Sequence, residues 1–233
     1  MWLQRGQRIL YPMCRWVWKM TVHGAEHVPT EGGLVLTPNH TSFADPWFIA
    51  MISPRKPIRY LINEESYKKS RVGKAIFDSL GVIGQVRNPA LTIFSVVDSL
   101  ERGEVVGVFP EGRVSHDGLM TRCQHGIGWI AALSGKPIVP TGLKGMFEAM
   151  PRTAKFPRRA IVSLHLGAPL SFAAAPVPDP KPEQVHEFSC AVTESIARLL
   201  GQESRLDRIL PEAPAADLRP LLERVRRKRA KSE

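Results

Sequence analysis

From residue 33 to residue 166 the chain alternates short runs of apolar, β-branched residues with longer stretches of helical character, and this alternation limits the possible folds more than any other feature. The runs are "GLVLT" (33–37), "IRYLI" (58–62), "GVIGQV" (81–86), "VVGVF" (105–109), "KPIVPTGL" (136–143) and "AIVSLHL" (160–166). Each reads as a buried strand. Between them lie "DPWFIAMIS", "EESYKKSRVGKAIFDSL", "PALTIFSVVDSLERG" and "QHGIGWIAALSG", which read as helices. Asn88 before Pro89 supplies a start signal for the third of these, and Gly103 after Arg102 a stop. Strands separated by helices predict an α/β fold, a mixed, largely parallel sheet covered by helices on both faces. Functional residues then belong on the loops at strand ends.

The flanks read differently. Residues 1–21 mix Trp2, Leu3, Ile9, Leu10, Trp16, Val17 and Trp18 with Arg5, Arg8, Arg15 and Lys19, and Pro12 divides them into two short helices or a kinked one. Such an amphipathic segment suits membrane docking, with rings at the interface and cations against acidic lipid. The plainer alternative is an ordinary N-terminal helix packing its tryptophans onto the domain. Residues 22–210 form the expected single domain. It ends in a helix, after the proline-rich stretch 173–182, whose apolar positions Val185, Phe188, Val192, Ile196 and Leu199 step by three and four. Residues 211–233 hold a short amphipathic segment, "DLRPLLERVRRKRAKSE", that ends in a run of cations and reads as a basic, solvated tail, with contact to acidic lipid as the alternative. No run reaches the roughly 20 apolar residues that cross a bilayer as a helix. The expectation is therefore a protein peripheral to the cytoplasmic face of a membrane.

Charge narrows the partners. With 32 Lys+Arg against 22 Asp+Glu the formal charge is +10, so the surface draws anions: nucleic acid, acidic headgroups or phosphorylated small molecules. No nucleic-acid motif and no aromatic stacking platform accompanies the charge, so nucleic acid is not expected. Cys14, Cys123 and Cys190 are too widely spaced to make a disulfide framework or a metal cluster.

Two stretches carry residues suited to chemistry. In "NHTSFADPWF" (39–48), His40 and Asp45 follow the first run, and Asp45 precedes Pro46 at the mouth of a helix. The carboxylate can accept from one ring nitrogen and leave the other free as a base; alternatively Asp45 only caps the helix and His40 is a turn residue. In "VFPEGRVSHDG" (108–118), Pro110 and Gly112 force a turn from which Glu111 and Arg113 project. A guanidinium there suits phosphate, and Glu111 can hold it or a substrate hydroxyl. No G-x-S-x-G accompanies a serine nucleophile. His116, His125 and His165 read as structural or solvent-facing.

Together, "NHTSFAD" and "FPEGRVS" resemble the acyltransferase family that includes 1-acylglycerol-3-phosphate and glycerol-3-phosphate acyltransferases. "GVIGQVR" (81–87) is similar to that family's second motif and "IVP" (138–140) to its fourth. The resemblance implies transfer of a fatty acyl group from acyl-CoA or acyl carrier protein to the hydroxyl of 1-acylglycerol-3-phosphate, with neither metal nor cofactor. It implies His40 as general base and Asp45 as its orienting partner, with Arg87 on the acceptor phosphate. Glu111 and Gly112 would shape the pocket, and Pro140 would lie on the apolar side where the acyl chain packs. Two departures bear on the acceptor. Gly84 and Gln85 stand where the second motif has Phe-Ile, and Arg113, Val114, Ser115 stand where the third has Thr-Arg-Ser. The latter looks more like lysophosphatidylethanolamine acyltransferases, the alternative acceptor class; a non-catalytic basic membrane-binding module is the alternative outside enzymes. Arg113 is then a candidate second phosphate contact.

Overall fold

A computed structural model describes residues 18–63, 83–85, 88–154 and 156–230. Seven strands are described: β1 (Trp18–His23), β2 (Leu34–Pro38), β3 (Ile58–Asn63), β4 (Ile83–Gln85), β5 (Val105–Gly107), β6 (Ile138–Lys144) and β7 (Ala160–Leu166). They form one sheet in the order β1-β7-β6-β2-β5-β3-β4. Every neighbouring pair is parallel except β6 and β7. The mixed, mostly parallel α/β architecture is the expected one, because parallel neighbours need long crossover connections, which the helices between the runs supply. The helix expected over 64–80 lies outside the described residues.

Alternate residues of the central strands feed two cores. Val35, Val106 and Ile138 point into one, with α2 (Pro89–Glu101), α3 (Gly126–Ser134) and α5 (Pro182–Leu200) packed on it. Leu34, Leu36, Val105 and Val139 point into the other, beside α1 (Asp45–Ile52) and the short α4 (Met146–Ala149). A strand buried on both faces has no polar side to show, which is why these runs are continuously apolar. Asn88 caps α2 as its position predicts: its Oδ1 accepts from the amides of Ala90 at 3.0 Å and Leu91 at 3.3 Å.

Sequence expectations fail at both flanks. Residues 18–21, assigned to the docking segment, belong to β1, which pairs with β7 at the sheet edge. Trp18 is buried in the second core, and its indole donates to the Arg158 carbonyl at 2.9 Å. The rest of the proposed amphipathic segment, residues 1–17, lies outside the described residues. At the other end, most of the expected solvated tail is ordered. After the short α6 (Leu206–Ile209), α7 (Arg219–Arg229) buries Leu222 and Val225 in the first core. Partly buried Leu218 and Leu221 join them, so four apolar residues three or four apart make one stripe that packs on the domain instead of lying in solvent. Among the described residues no helix is long and apolar enough to cross a membrane.

The topology sets one place apart. From β2 the chain moves out to β3 and β4, returns to β5, then crosses to β6 on the far side of β2. Loops leaving β2, β5 and β6 therefore diverge around a crevice at the carboxyl ends of these strands, where ligands bind in open α/β sheets.

Candidate active site

His40 follows β2 by two residues, held by its main chain. Its N–H donates to Glu111 Oε1 at 2.7 Å, and its carbonyl accepts from the Ser115 N–H at 2.7 Å. Asn39 closes the other side of the turn. Its amide donates to the Leu143 carbonyl at 3.0 Å and accepts from the Leu143 N–H at 2.7 Å, fastening the end of β2 to β6. The segments after β2 and β5 and the end of β6 are thus tied together before any side chain turns to chemistry.

The imidazole is fixed on two sides. Its Nδ1 donates to Asp45 Oδ2 at 2.9 Å, and one face stacks on Phe109 with centroids 3.9 Å apart. Phe109 in turn stacks on Tyr60 at 6.0 Å. Tyr60 lies beside Gly107, where an added Cβ would come within 2.3 Å of its ring, so this close approach requires glycine. Among the described residues Nε2 has no hydrogen-bond partner, and the side chain is 15% exposed. An imidazole whose Nδ1 proton is committed to a carboxylate keeps Nε2 free to take a proton.

Asp45 is fully buried, and its Oδ2 also accepts from the amides of Thr41 at 2.7 Å and Ser42 at 2.8 Å. Burial raises this carboxyl above the ordinary aspartate range, and the bonds from His40, Ser42 and Thr41 pull it back. Asp45 begins α1 but does not cap it: the N-cap is Ala44, with no side-chain cap bond, and the carboxylate is taken up by the imidazole and the two turn amides. Burial, with Asp45 nearby, also pushes the Tyr60 phenol well above its usual value, which keeps it neutral.

Glu111 departs from expectation. It is turned inward at 3% exposure, with Oε1 on the His40 N–H and Oε2 accepting from the Thr121 N–H and hydroxyl, both at 2.7 Å. Burial raises its carboxyl, against the opposing pull of these donors. Both oxygens are engaged, so the carboxylate braces the turn rather than holding Arg113. Gly112 (φ 67°) and Arg113 are exposed at the tip of the loop. Pro140 is buried in β6 opposite Thr37 with its Cβ toward Gly167, a sheet residue in its own right. Arg87 lies outside the described residues. Phe109 opens the "FPEGRVS" stretch, whereas Tyr60 and Thr121 reach this site only through strand register and loop path, and no local sequence signal marks them.

Rival nucleophiles are occupied or inert. Ser42 is buried, its hydroxyl donating to the Met150 carbonyl at 2.6 Å and accepting from the Ala44 N–H at 3.1 Å. Burial pushes the Cys123 thiol up to about 12, far from a reactive thiolate at neutral pH.

Comparison with known proteins places this geometry in a family. The model of the Acyltransferase family matches residues 19–144, more than half of the chain. The chain belongs to the acyltransferase family. Over 195 residues it is 26% identical to a 1-acyl-sn-glycerol-3-phosphate acyltransferase of Bacillus subtilis, covering 81% of this chain and 90% of that protein. Over 155 residues it is 30% identical to a chloroplastic 1-acyl-sn-glycerol-3-phosphate acyltransferase of Brassica napus, covering 61% of this chain and 41% of that protein. The crystal structure of a 1-acyl-sn-glycerophosphate acyltransferase from Thermotoga maritima superposes with a TM-score of 0.67 at 22% identity, over 88% of this chain and 80% of that one. That likeness speaks for the fold. The matched region of this acyltransferase begins in β1 and ends with β6, so it contains the whole of the His40 site.

Proposed function

We infer that this acyltransferase moves a fatty acyl group from a thioester, acyl-CoA or acyl carrier protein, to the hydroxyl of a lysophospholipid, with 1-acylglycerol-3-phosphate the acceptor. The observation that carries the reading is the His40–Asp45 pair at 2.9 Å, which leaves Nε2 without a hydrogen-bond partner among the described residues. The acceptor named for the Bacillus and Brassica relatives supports 1-acylglycerol-3-phosphate here.

In the reaction, Nε2 takes the proton of the acceptor hydroxyl as its oxygen bonds to the thioester carbonyl carbon. The tetrahedral intermediate collapses with cleavage of the C–S bond, and the imidazolium returns its proton to the departing thiolate. No electrons are exchanged with a third party, and no acyl group is carried on the protein. Asp45 holds the ring and stabilises the imidazolium through a charge-assisted bond. Arg87 and Arg113 are assigned to the acceptor phosphate, Gly112 to the pocket wall beside Arg113, and Pro140 to the apolar side of the donor site. The enzyme works at the surface of an acidic membrane, where its positive charge and its amphipathic acceptor meet. A lysophosphatidylethanolamine-type acceptor is the second reading, favoured by Arg113-Val114-Ser115.

Asp45→Asn separates orientation from charge. Asp45 Oδ2 alone accepts all three bonds, while Oδ1 is buried without a partner. An asparagine oxygen in the Oδ2 position keeps all three, so the ring stays placed and only the negative charge is lost. We expect a fall in kcat of about 10–100-fold, the worth of a charge-assisted bond. The stability signature has a definite sign. A carboxyl raised in the fold contributes stability below its unfolded value of 3.8, and this is lost as pH rises through the folded value. Thermal melts should therefore show Asp45→Asn gaining on wild type as pH rises from about 4 to about 7.

The activity is tested by thiol release from acyl-CoA, and from acyl carrier protein, with lysophosphatidate, lysophosphatidylethanolamine and glycerol 3-phosphate offered separately in detergent. Release that depends on lysophosphatidate supports the reading, and preference for lysophosphatidylethanolamine moves it to the second. Absence of acceptor-dependent release from both donors refutes it.

A further inference from the structure

We propose that Arg152 and His116, in contact with each other beside the His40 turn, form a further anion site on the acceptor's phosphate, additional to the arginines already assigned to it. Arg152 Nη1 donates to His116 Nε2 at 3.2 Å, and its guanidinium lies over the Phe43 ring, 5.6 Å from the centroid. Arg59, Arg122 and Arg227, by contrast, meet carboxylates. Arg152 has no carboxylate partner among the described residues, and its remaining N–H groups are disposed to hold an anion in a forked pair of bonds.

Both halves of the site are fixed relative to the base. His116 follows Ser115, whose N–H bonds the His40 carbonyl. Arg152 follows Met150 by two residues, and the Met150 carbonyl accepts from the Ser42 hydroxyl at 2.6 Å. Phe43, next in the chain after Ser42, is 60% exposed. An apolar ring left in solvent on an otherwise buried turn is explained if it serves as the platform for the Arg152 guanidinium. Arg113 rises from the same loop as His116, three residues before it.

The ligand class follows from bond counting. In a lysophospholipid with a phosphomonoester headgroup, the phosphate is only a few bonds from the reacting hydroxyl. In coenzyme A or a carrier-protein thioester, the phosphates are many bonds from the reacting carbonyl. An anion site built on the segments that anchor the His40 turn therefore serves the acceptor. This deepens the proposed function and rests on it for the identity of the acceptor, but the anion site itself does not depend on turnover.

The test pairs steady-state kinetics with calorimetric binding of glycerol 3-phosphate, a soluble phosphomonoester, to wild type, Arg152→Ala, His116→Ala, His40→Ala and Arg208→Ala. Arg152→Ala should raise KM for lysophosphatidate about tenfold or more, with kcat within about twofold and KM for the donor unchanged. His116→Ala should do the same to a smaller degree, and discrimination between lysophosphatidate and monoacylglycerol should narrow in both. Glycerol 3-phosphate affinity should fall in parallel, be kept in His40→Ala, and be kept in the charge control Arg208→Ala, whose arginine is exposed and pairs with its neighbour Asp207. Arg152-dependent binding without acyl transfer by the wild type would uphold the anion site while refuting the proposed reaction. A rise confined to the donor KM would overturn the proposal, as would equal loss in Arg208→Ala. So would reduced sedimentation with phosphatidylglycerol vesicles at unchanged glycerol 3-phosphate affinity, which would make the pair a membrane contact.

Discussion

Replacing His40 with alanine is expected to lower kcat by about 10²–10⁴-fold, the usual worth of a positioned general base, while leaving a folded protein. The division between chemistry and structure at this residue makes the experiment clean. The bonds that hold the turn are made by the His40 main chain, to Glu111 and from Ser115, and alanine keeps both. The side chain contributes one bond to Asp45 and one ring contact with Phe109. Losing them leaves Asp45 with its two amide donors, and at 15% exposure water can enter the space vacated. A cost of about 1–2 kcal/mol follows, or a fall of a few degrees in Tm. The measurement is acceptor-dependent thiol release alongside a thermal melt. Turnover within threefold of wild type in a folded His40→Ala would show that the pair only shapes the turn.

How much of this was legible in the sequence depends on how local each signal is. The central strands were, because burial on both faces leaves uninterrupted apolar runs such as Leu34–Pro38. His40 and Asp45 were, because five residues of one turn are enough to bring them together. Trp18–His23 was not: tryptophan beside lysine suits an interfacial helix and an edge strand equally, and only pairing with Ala160–Leu166, some 140 residues away, decides between them. Leu222 and Val225 were legible only in part: the segment reads as amphipathic, but the run of cations that ends it favours a solvated tail over packing. Tyr60 and Thr121 join the site only after the sheet register and the path of the 108–125 loop are set.

Glu111 is where motif and structure diverge most, and Glu111→Ala is expected to act on stability rather than on substrate binding. The carboxylate is nearly buried, and it satisfies three donors from two segments: the His40 N–H, the Thr121 N–H and the Thr121 hydroxyl. Alanine supplies no acceptor. The hydroxyl can rotate to another partner, but two main-chain donors would be left buried without one, at about 1–3 kcal/mol each. We therefore expect a loss of about 2–5 kcal/mol and a fall in Tm on the order of 10 °C. Glu111→Gln should fall between the two proteins, because its amide oxygen can serve one side of the brace while its NH₂ faces a donor on the other. Activity should decline with both variants as the His40 turn loosens, in step with Tm, and with KM for the acceptor little changed at temperatures where the protein is folded. A carboxylate that bound the acceptor hydroxyl would behave in the reverse way, raising KM many-fold at an unchanged Tm. That outcome would return Glu111 to the substrate pocket and require its inward bonds to open when substrate binds.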